Sequence, residues 1–182
     1  MFIQNVPMGA APANQTTMPA AHGSALIRLG RPHQWTKNLL LVAPLVFSRH
    51  LFIARDDAVV VAAIAAFCAL ASFAYALNDI IDREADRLNP EKRHRPIASG
   101  ELTVATAARF ALVLASVGVA ISFAIGGAFL LIALIYLALQ FTYSLWAKKI
   151  VILDVIAVAA GFVIRAYAGG VAIGVDVSPW LV

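Results

Sequence analysis

The chain has 182 residues, 62% of them hydrophobic and 13% charged, with a mean hydropathy of +0.84. Soluble domains are typically ~45–50% apolar and ~25% charged, so this balance excludes a soluble globular fold and defines a membrane protein. In such a chain the net charge of +4 reports topology before ligands and gives no ground for nucleic-acid binding; the single cysteine, Cys68, excludes an internal disulfide.

Residues 1–24 carry no Lys, Arg, Asp or Glu and no long apolar block, which is unlike a secretory signal and fits a disordered cytoplasmic tail. A short first span is expected at 39–52, entered from Leu26 and kinked at Pro44. Four clear spans follow, at 58–81, 104–124, 127–147 and 150–173, each near the ~20 apolar residues a bilayer requires. The expected fold is therefore all-α, a polytopic membrane bundle of about five transmembrane helices.

Basic residues orient it. Arg28, Arg31 and Lys37 precede the first span, Arg83, Arg87, Lys92, Arg93 and Arg95 fill the loop after the second, and Lys148 and Lys149 follow the fourth. The opposite loops hold Arg49 and Arg55, offset by Asp56 and Asp57. The positive-inside bias predicts a multi-pass cell-membrane protein with its N-terminus and the 82–103 and 148–149 loops in the cytoplasm.

The stretch NDIIDREAD, residues 78–86, stands where the second span ends. If the helix runs on through 87, Asp79, Asp82 and Asp86 occupy i, i+3 and i+7 on one face, with Asn78 in phase. Three unpaired carboxylates on one stripe repel one another, and a hard divalent cation reverses that sign. Magnesium takes oxygen ligands, one or two carboxylates plus substrate phosphate. Beside a polybasic loop, the stripe suits a metal-bridged diphosphate: Asn78, Asp79, Asp82 and Asp86 hold the metal, and Lys92, Arg93 and Arg95 take phosphate charge. The plain alternative is a solvated helix end, its acids paired with Arg83, Arg87 and Arg93. Glu84 and Glu91 fall off the stripe.

These residues carry a resemblance. N78-D79-x-x-D82-x-x-x-D86, followed by K92-R93-H94-R95-P96-I97-A98-S99-G100, resembles the first aspartate-rich motif and basic loop of the UbiA superfamily of intramembrane prenyltransferases. Three blocks resemble its decaprenyl-phosphate phosphoribosyltransferase branch: R31-P32-H33-Q34-W35-T36-K37-N38 with A43-P44, the aspartate block itself, and L153-D154-V155 through G161-F162-V163-I164-R165-A166-Y167-A168-G169-G170. The resemblance covers residues from about 28 to the end.

It implies a Mg2+-dependent enzyme that moves 5-phosphoribosyl from phosphoribosyl diphosphate to a polyprenyl (decaprenyl) phosphate in cell-wall biosynthesis. Asp79, Asp82 and Asp86 would be its catalytic residues. At the cytoplasmic end of the first helix, Arg31, Gln34, Lys37 and Asn38 cluster as candidates for the acceptor's phosphate, or for snorkelling to lipid headgroups. Tyr143 with Lys148 is similar to the family's tyrosine–lysine element. Asp154 and Arg165 are charged residues inside the last span, hence functional candidates. Asp154 and Lys148 are at the depth of the aspartate stripe, whereas Arg165 lies ~22 Å in: it serves a phosphate only if a deep polar cavity reaches it, and otherwise makes a structural pair with another helix or a carbonyl cluster. The partners expected are the lipid phosphate and a diphosphate-bearing donor, and the oligomeric state is left open. The superfamily fold has about nine helices, on the order of 270 residues. Residues 25–182 are accordingly expected to be the N-terminal part of that domain, with a second aspartate motif beyond Val182. Two other readings stay open: transfer of a prenyl group from a prenyl diphosphate to an aromatic ring, and a non-enzymatic membrane protein.

Overall fold

A computed structural model describes residues 19–176, and all the regular structure among them is helical. Helix α1 spans Pro19–Gly30, and a 3-10 segment, Pro32–Val42, leads into the short α2, Ala43–Phe47. The long α3, Ala54–Ile81, and α4, Arg83–Leu88, carry the aspartate stripe. Then come α5, Val104–Ile125, α6, Gly127–Leu145, a 3-10 turn at Ala147–Lys149, and α7, Val151–Ile173. Helices α3, α5, α6 and α7 are each long and apolar enough to cross a membrane.

The expected short first span is broken into three pieces. Pro32 and Pro44 each lack an amide donor, and Arg31 between α1 and the 3-10 segment has φ 50° and ψ 60°. The described helix begins at Pro19, inside the stretch expected as a tail, and proline is well suited to a first helical turn; residues 1–18 of that tail lie outside the described residues. The second span departs less from expectation. It pauses at Asp82, yet the Asp82 amide donates to the Asn78 carbonyl at 2.9 Å and the Asp86 amide to the Asp82 carbonyl at 2.8 Å, so helical bonding runs through.

Helix α3 is the axis of the bundle, packing against every other long helix and most extensively on α5. Its alanine-rich face permits close approach. At Gly118 of α5 a Cβ would stand 2.5 Å from the Leu70 side chain. The main core joins Leu41, Phe67, Leu70, Phe129, Tyr136 and Ala168, with Phe67 edge-on to Phe129 at 5.8 Å. A second core, including Leu29, Ala76, Ile97, Leu102 and Ala111, pins the 89–103 loop to the end of the bundle. Thr103 caps α5 by accepting from the Thr106 amide at 3.1 Å. The outward faces of α5, α6 and α7 expose Leu112, Phe123, Leu131, Val151 and Val155, as a lipid-facing surface requires.

Candidate functional site

Three segments far apart in sequence meet the aspartate stripe at one end of the bundle, and each brings a cation. Arg31, turned by its left-handed backbone, donates from Nη2 to Asp79 Oδ1 at 2.7 Å and stacks 5.0 Å from the Tyr75 ring centroid. That backbone conformation costs a non-glycine residue on the order of 1–3 kcal/mol, and the two contacts offset it. Arg95 is aimed by the buried Pro96–Ile97–Ala98 step after it and by Arg87, whose Nε donates to the Ala98 carbonyl at 3.2 Å. Its Nη1 reaches Asp79 Oδ1 at 3.0 Å and Asp86 Oδ2 at 2.7 Å. Lys148, on the 3-10 turn after α6, donates to Asn78 Oδ1 at 2.9 Å and Asp82 Oδ1 at 2.5 Å.

The carboxylates differ in depth. Asp79 and Asp86 are buried, at 2% and 3% exposure, while Asp82 stays partly open. A buried carboxylate with no partner is heavily penalised, and a paired one is held firmly. The partners are Arg31, Arg95 and Lys148, rather than the Arg83, Arg87 and Arg93 of a plain solvated helix end. Glu84 is exposed and pairs with Arg83 and Arg87, off the stripe as its phase requires.

Other expected site residues fall elsewhere. Lys92 and Arg93 are exposed and make no side-chain hydrogen bond or ion pair among the described residues, so the basic loop delivers only Arg95 to the stripe. Asp154 accepts from the Tyr143 hydroxyl at 2.9 Å. Gln34 is half-buried, and Arg31 and Asn38, grouped with it in the sequence, turn to different partners. Arg165 is buried: Nε donates to Asn38 Oδ1 at 2.8 Å, Nη1 to the Gly161 carbonyl at 2.7 Å and Nη2 to the Tyr136 hydroxyl at 2.8 Å. A cavity of about 160 Å³ reaches Arg165, lined also by Lys37, Tyr75, Gln140 and Tyr143.

Sequence reasoning missed Tyr136, Gln140 and Tyr75. Gln140 Nε2 donates to the Tyr136 hydroxyl at 2.7 Å. The signal was present, since these two polar groups are four residues apart inside an apolar helix and therefore share a face.

Whether the stripe suits Mg2+ can be tested on its donors. The oxygens of Asn78, Asp79, Asp82 and Asp86 are the hard ligands the ion takes, and two carboxylates suffice when substrate phosphate completes the shell. Among the described residues no group of three or more acidic, histidine or cysteine side chains is placed to hold a metal ion, so the stripe by itself offers at most part of a coordination shell. The donor chemistry fits.

An all-helical membrane bundle whose aspartate stripe is rimmed by cations defines the class. Residues 36–182 match the model of the UbiA prenyltransferase family, and the chain belongs to that family. It is 40% identical over 166 residues to the decaprenyl-phosphate phosphoribosyltransferase of Corynebacterium glutamicum, covering 89% of this chain and 50% of that protein. It is 40% identical over 161 residues to the protein of the same name from Mycolicibacterium smegmatis, covering 86% and 51%. The chain thus spans about half the length of these curated relatives. A UbiA homologue from Archaeoglobus fulgidus, solved bound to GPP and Mg2+, superposes with a TM-score of 0.68 at 25% identity, covering 85% of this chain and 56% of that one.

Proposed function

We propose that the protein is a Mg2+-dependent intramembrane transferase that moves 5-phosphoribosyl from phosphoribosyl diphosphate to a polyprenyl phosphate such as decaprenyl phosphate. The observation that carries this reading is the interleaving of Asp79, Asp82 and Asp86 with Arg31, Arg95 and Lys148. Such an arrangement offers a diphosphate both metal-binding carboxylates and direct cationic donors. The substrate assignment is supported by the names of the 40%-identical relatives.

Asn78, Asp79, Asp82 and Asp86 would hold Mg2+, which when bound neutralises charge growing on the departing diphosphate. Arg31, Arg95 and Lys148 exchange carboxylate contacts for phosphate oxygens as the donor enters. An acceptor phosphate oxygen attacks the ribosyl C1; the C1–O bond to diphosphate breaks, and its electron pair leaves with the diphosphate. The nucleophile is already ionised, so the residues here need only orient it, and a general base is unnecessary.

A second reading, transfer of a prenyl group from a prenyl diphosphate to an aromatic acceptor, is favoured by the GPP and Mg2+ bound to the Archaeoglobus homologue. Donor competition separates the two. Membranes carrying the protein are given polyprenyl phosphate and Mg2+, and released diphosphate is measured. Release from phosphoribosyl diphosphate but not from geranyl diphosphate is expected; release from geranyl diphosphate alone, with an aromatic acid present, would replace this reading with the second.

A further inference from the structure

Arg165 is a cation placed where a bilayer protein can least tolerate one. It is 6% exposed, and its partners Asn38, Tyr136 and the Gly161 carbonyl are all neutral. Each guanidinium nitrogen has one hydrogen-bond partner while the charge stays uncompensated, and a buried charge without a counter-charge is heavily penalised. An anion entering the cavity beside it removes that cost. The cavity has room, since its 160 Å³ is large against the ~10–15 Å³ that a single water occupies by the same measure.

Lys37 lines the same cavity, is exposed, and makes no side-chain hydrogen bond or ion pair with any described residue. Among the described residues no carboxylate lines the space. Two cations facing an acid-free cavity select an anionic group.

A second space adjoins it. An open cleft of about 530 Å³ runs along the 3-10 segment and α2, walled by Leu40, Val42, Val46 and Phe47. Lys37 and Phe162 line both spaces, so the polar cavity and the apolar cleft share those two side chains as a common wall. An anionic head joined to a long unbranched-backbone hydrocarbon fills both.

We propose that Lys37 and Arg165 bind the phosphate of the isoprenoid acceptor, and that its first isoprene units lie in the cleft against Val46, Phe47 and Phe162. The assignment rests on the transferase reading above and names where its second substrate sits. Tyr75 links the two sites: it lines the cavity, and its ring carries the Arg31 that is bonded to Asp79. Tyr75 is thus the side chain that the cavity and the aspartate stripe share. Arg31 and Asn38, grouped with Lys37 in the sequence, separate in this account. Arg31 serves the diphosphate side, and Asn38 positions Arg165.

The test uses the full chain in zwitterionic-lipid nanodiscs with farnesyl phosphate as probe. Lys37→Gln and Arg165→Lys should each weaken farnesyl phosphate binding by about tenfold, the loss expected for one charge-assisted bond. Phe47→Asp, at a residue already exposed, should weaken farnesyl phosphate but leave inorganic phosphate unchanged. Farnesol and dioleoyl phosphatidic acid should compete poorly, the first lacking the anion and the second carrying two chains. Binding that is indifferent to both Lys37→Gln and Phe47→Asp, or equal competition by phosphatidic acid, would overturn the assignment. Mn2+ binding with phosphoribosyl diphosphate is measured alongside. If that fails while farnesyl phosphate still depends on Lys37, the donor reading falls and the lipid-phosphate site stands.

Discussion

Lys148 Nζ stands 2.5 Å from Asp82 Oδ1, although 66 residues separate them in the chain. The contact ties the turn between α6 and α7 to the break between α3 and α4, so one ion pair fixes two elements at the site. Both side chains are partly open, at 17% and 26% exposure, so pairing is favourable without the full desolvation cost of a deep pair. A double-mutant cycle on Lys148→Gln and Asp82→Asn, read by thermal unfolding in detergent, should give a coupling of about 1–3 kcal/mol. Additive losses would show that the turn is placed by packing alone.

Gly169 of α7 lies against the 3-10 segment so closely that a Cβ there would stand 2.2 Å from the Leu41 carbonyl oxygen. Backbone cannot swing aside as a side chain can. Gly169→Ala should lower stability by about 1–3 kcal/mol and push α7 off Asn38, loosening Arg165. At Gly118 the obstacle is the flexible Leu70 side chain, so Gly118→Ala should cost less. Parallel melting curves of the two variants check the order, and a reversed order would contradict this packing.

Replacing Arg165 by Met removes three hydrogen bonds and leaves Asn38 Oδ1 and the Tyr136 hydroxyl without their strongest donor. A net loss of about 1–3 kcal/mol is expected, the lost bonds outweighing the relief of an uncompensated buried charge, with Arg165→Lys intermediate because one ammonium cannot span all three acceptors. Unchanged melting of Arg165→Met would mean that the network adds nothing to the fold.

Topology is open to a direct check. The lysine and arginine bias predicts a cytoplasmic 82–103 loop, with residues 49–57 on the other side. In a Cys68→Ala background, a cysteine at Asn89 should be protected from a membrane-impermeant thiol reagent in intact cells, and one at Phe52 should react. The opposite pattern would invert the orientation.

The long spans were legible because a bilayer demands runs of some 20 apolar residues, and the ends of α5, α6 and α7 fall within two residues of those expected. The approach of Lys148 to the stripe was legible too, since depth along the helices already put both at one level. Arg31 was not. Its partner depends on a left-handed turn before Pro32, a residue that ordinarily favours extended backbone ahead of it, so tertiary contacts decide the matter. The broken first span likewise carries a distant contact: Asn38, within the 3-10 segment, accepts from Arg165 of α7, 127 residues away. No local pattern encodes such a pairing.

The central claim is that the aspartate stripe binds a divalent cation together with a diphosphate. Electron paramagnetic resonance of Mn2+ with pyrophosphate, on the protein in nanodiscs, measures this without requiring turnover. Asp79→Asn, Asp82→Asn and Asp86→Asn should each weaken binding by about tenfold or more, and Glu84→Gln should leave it unchanged. Binding lost equally in Glu84→Gln, or retained in all three aspartate variants, would contradict the account.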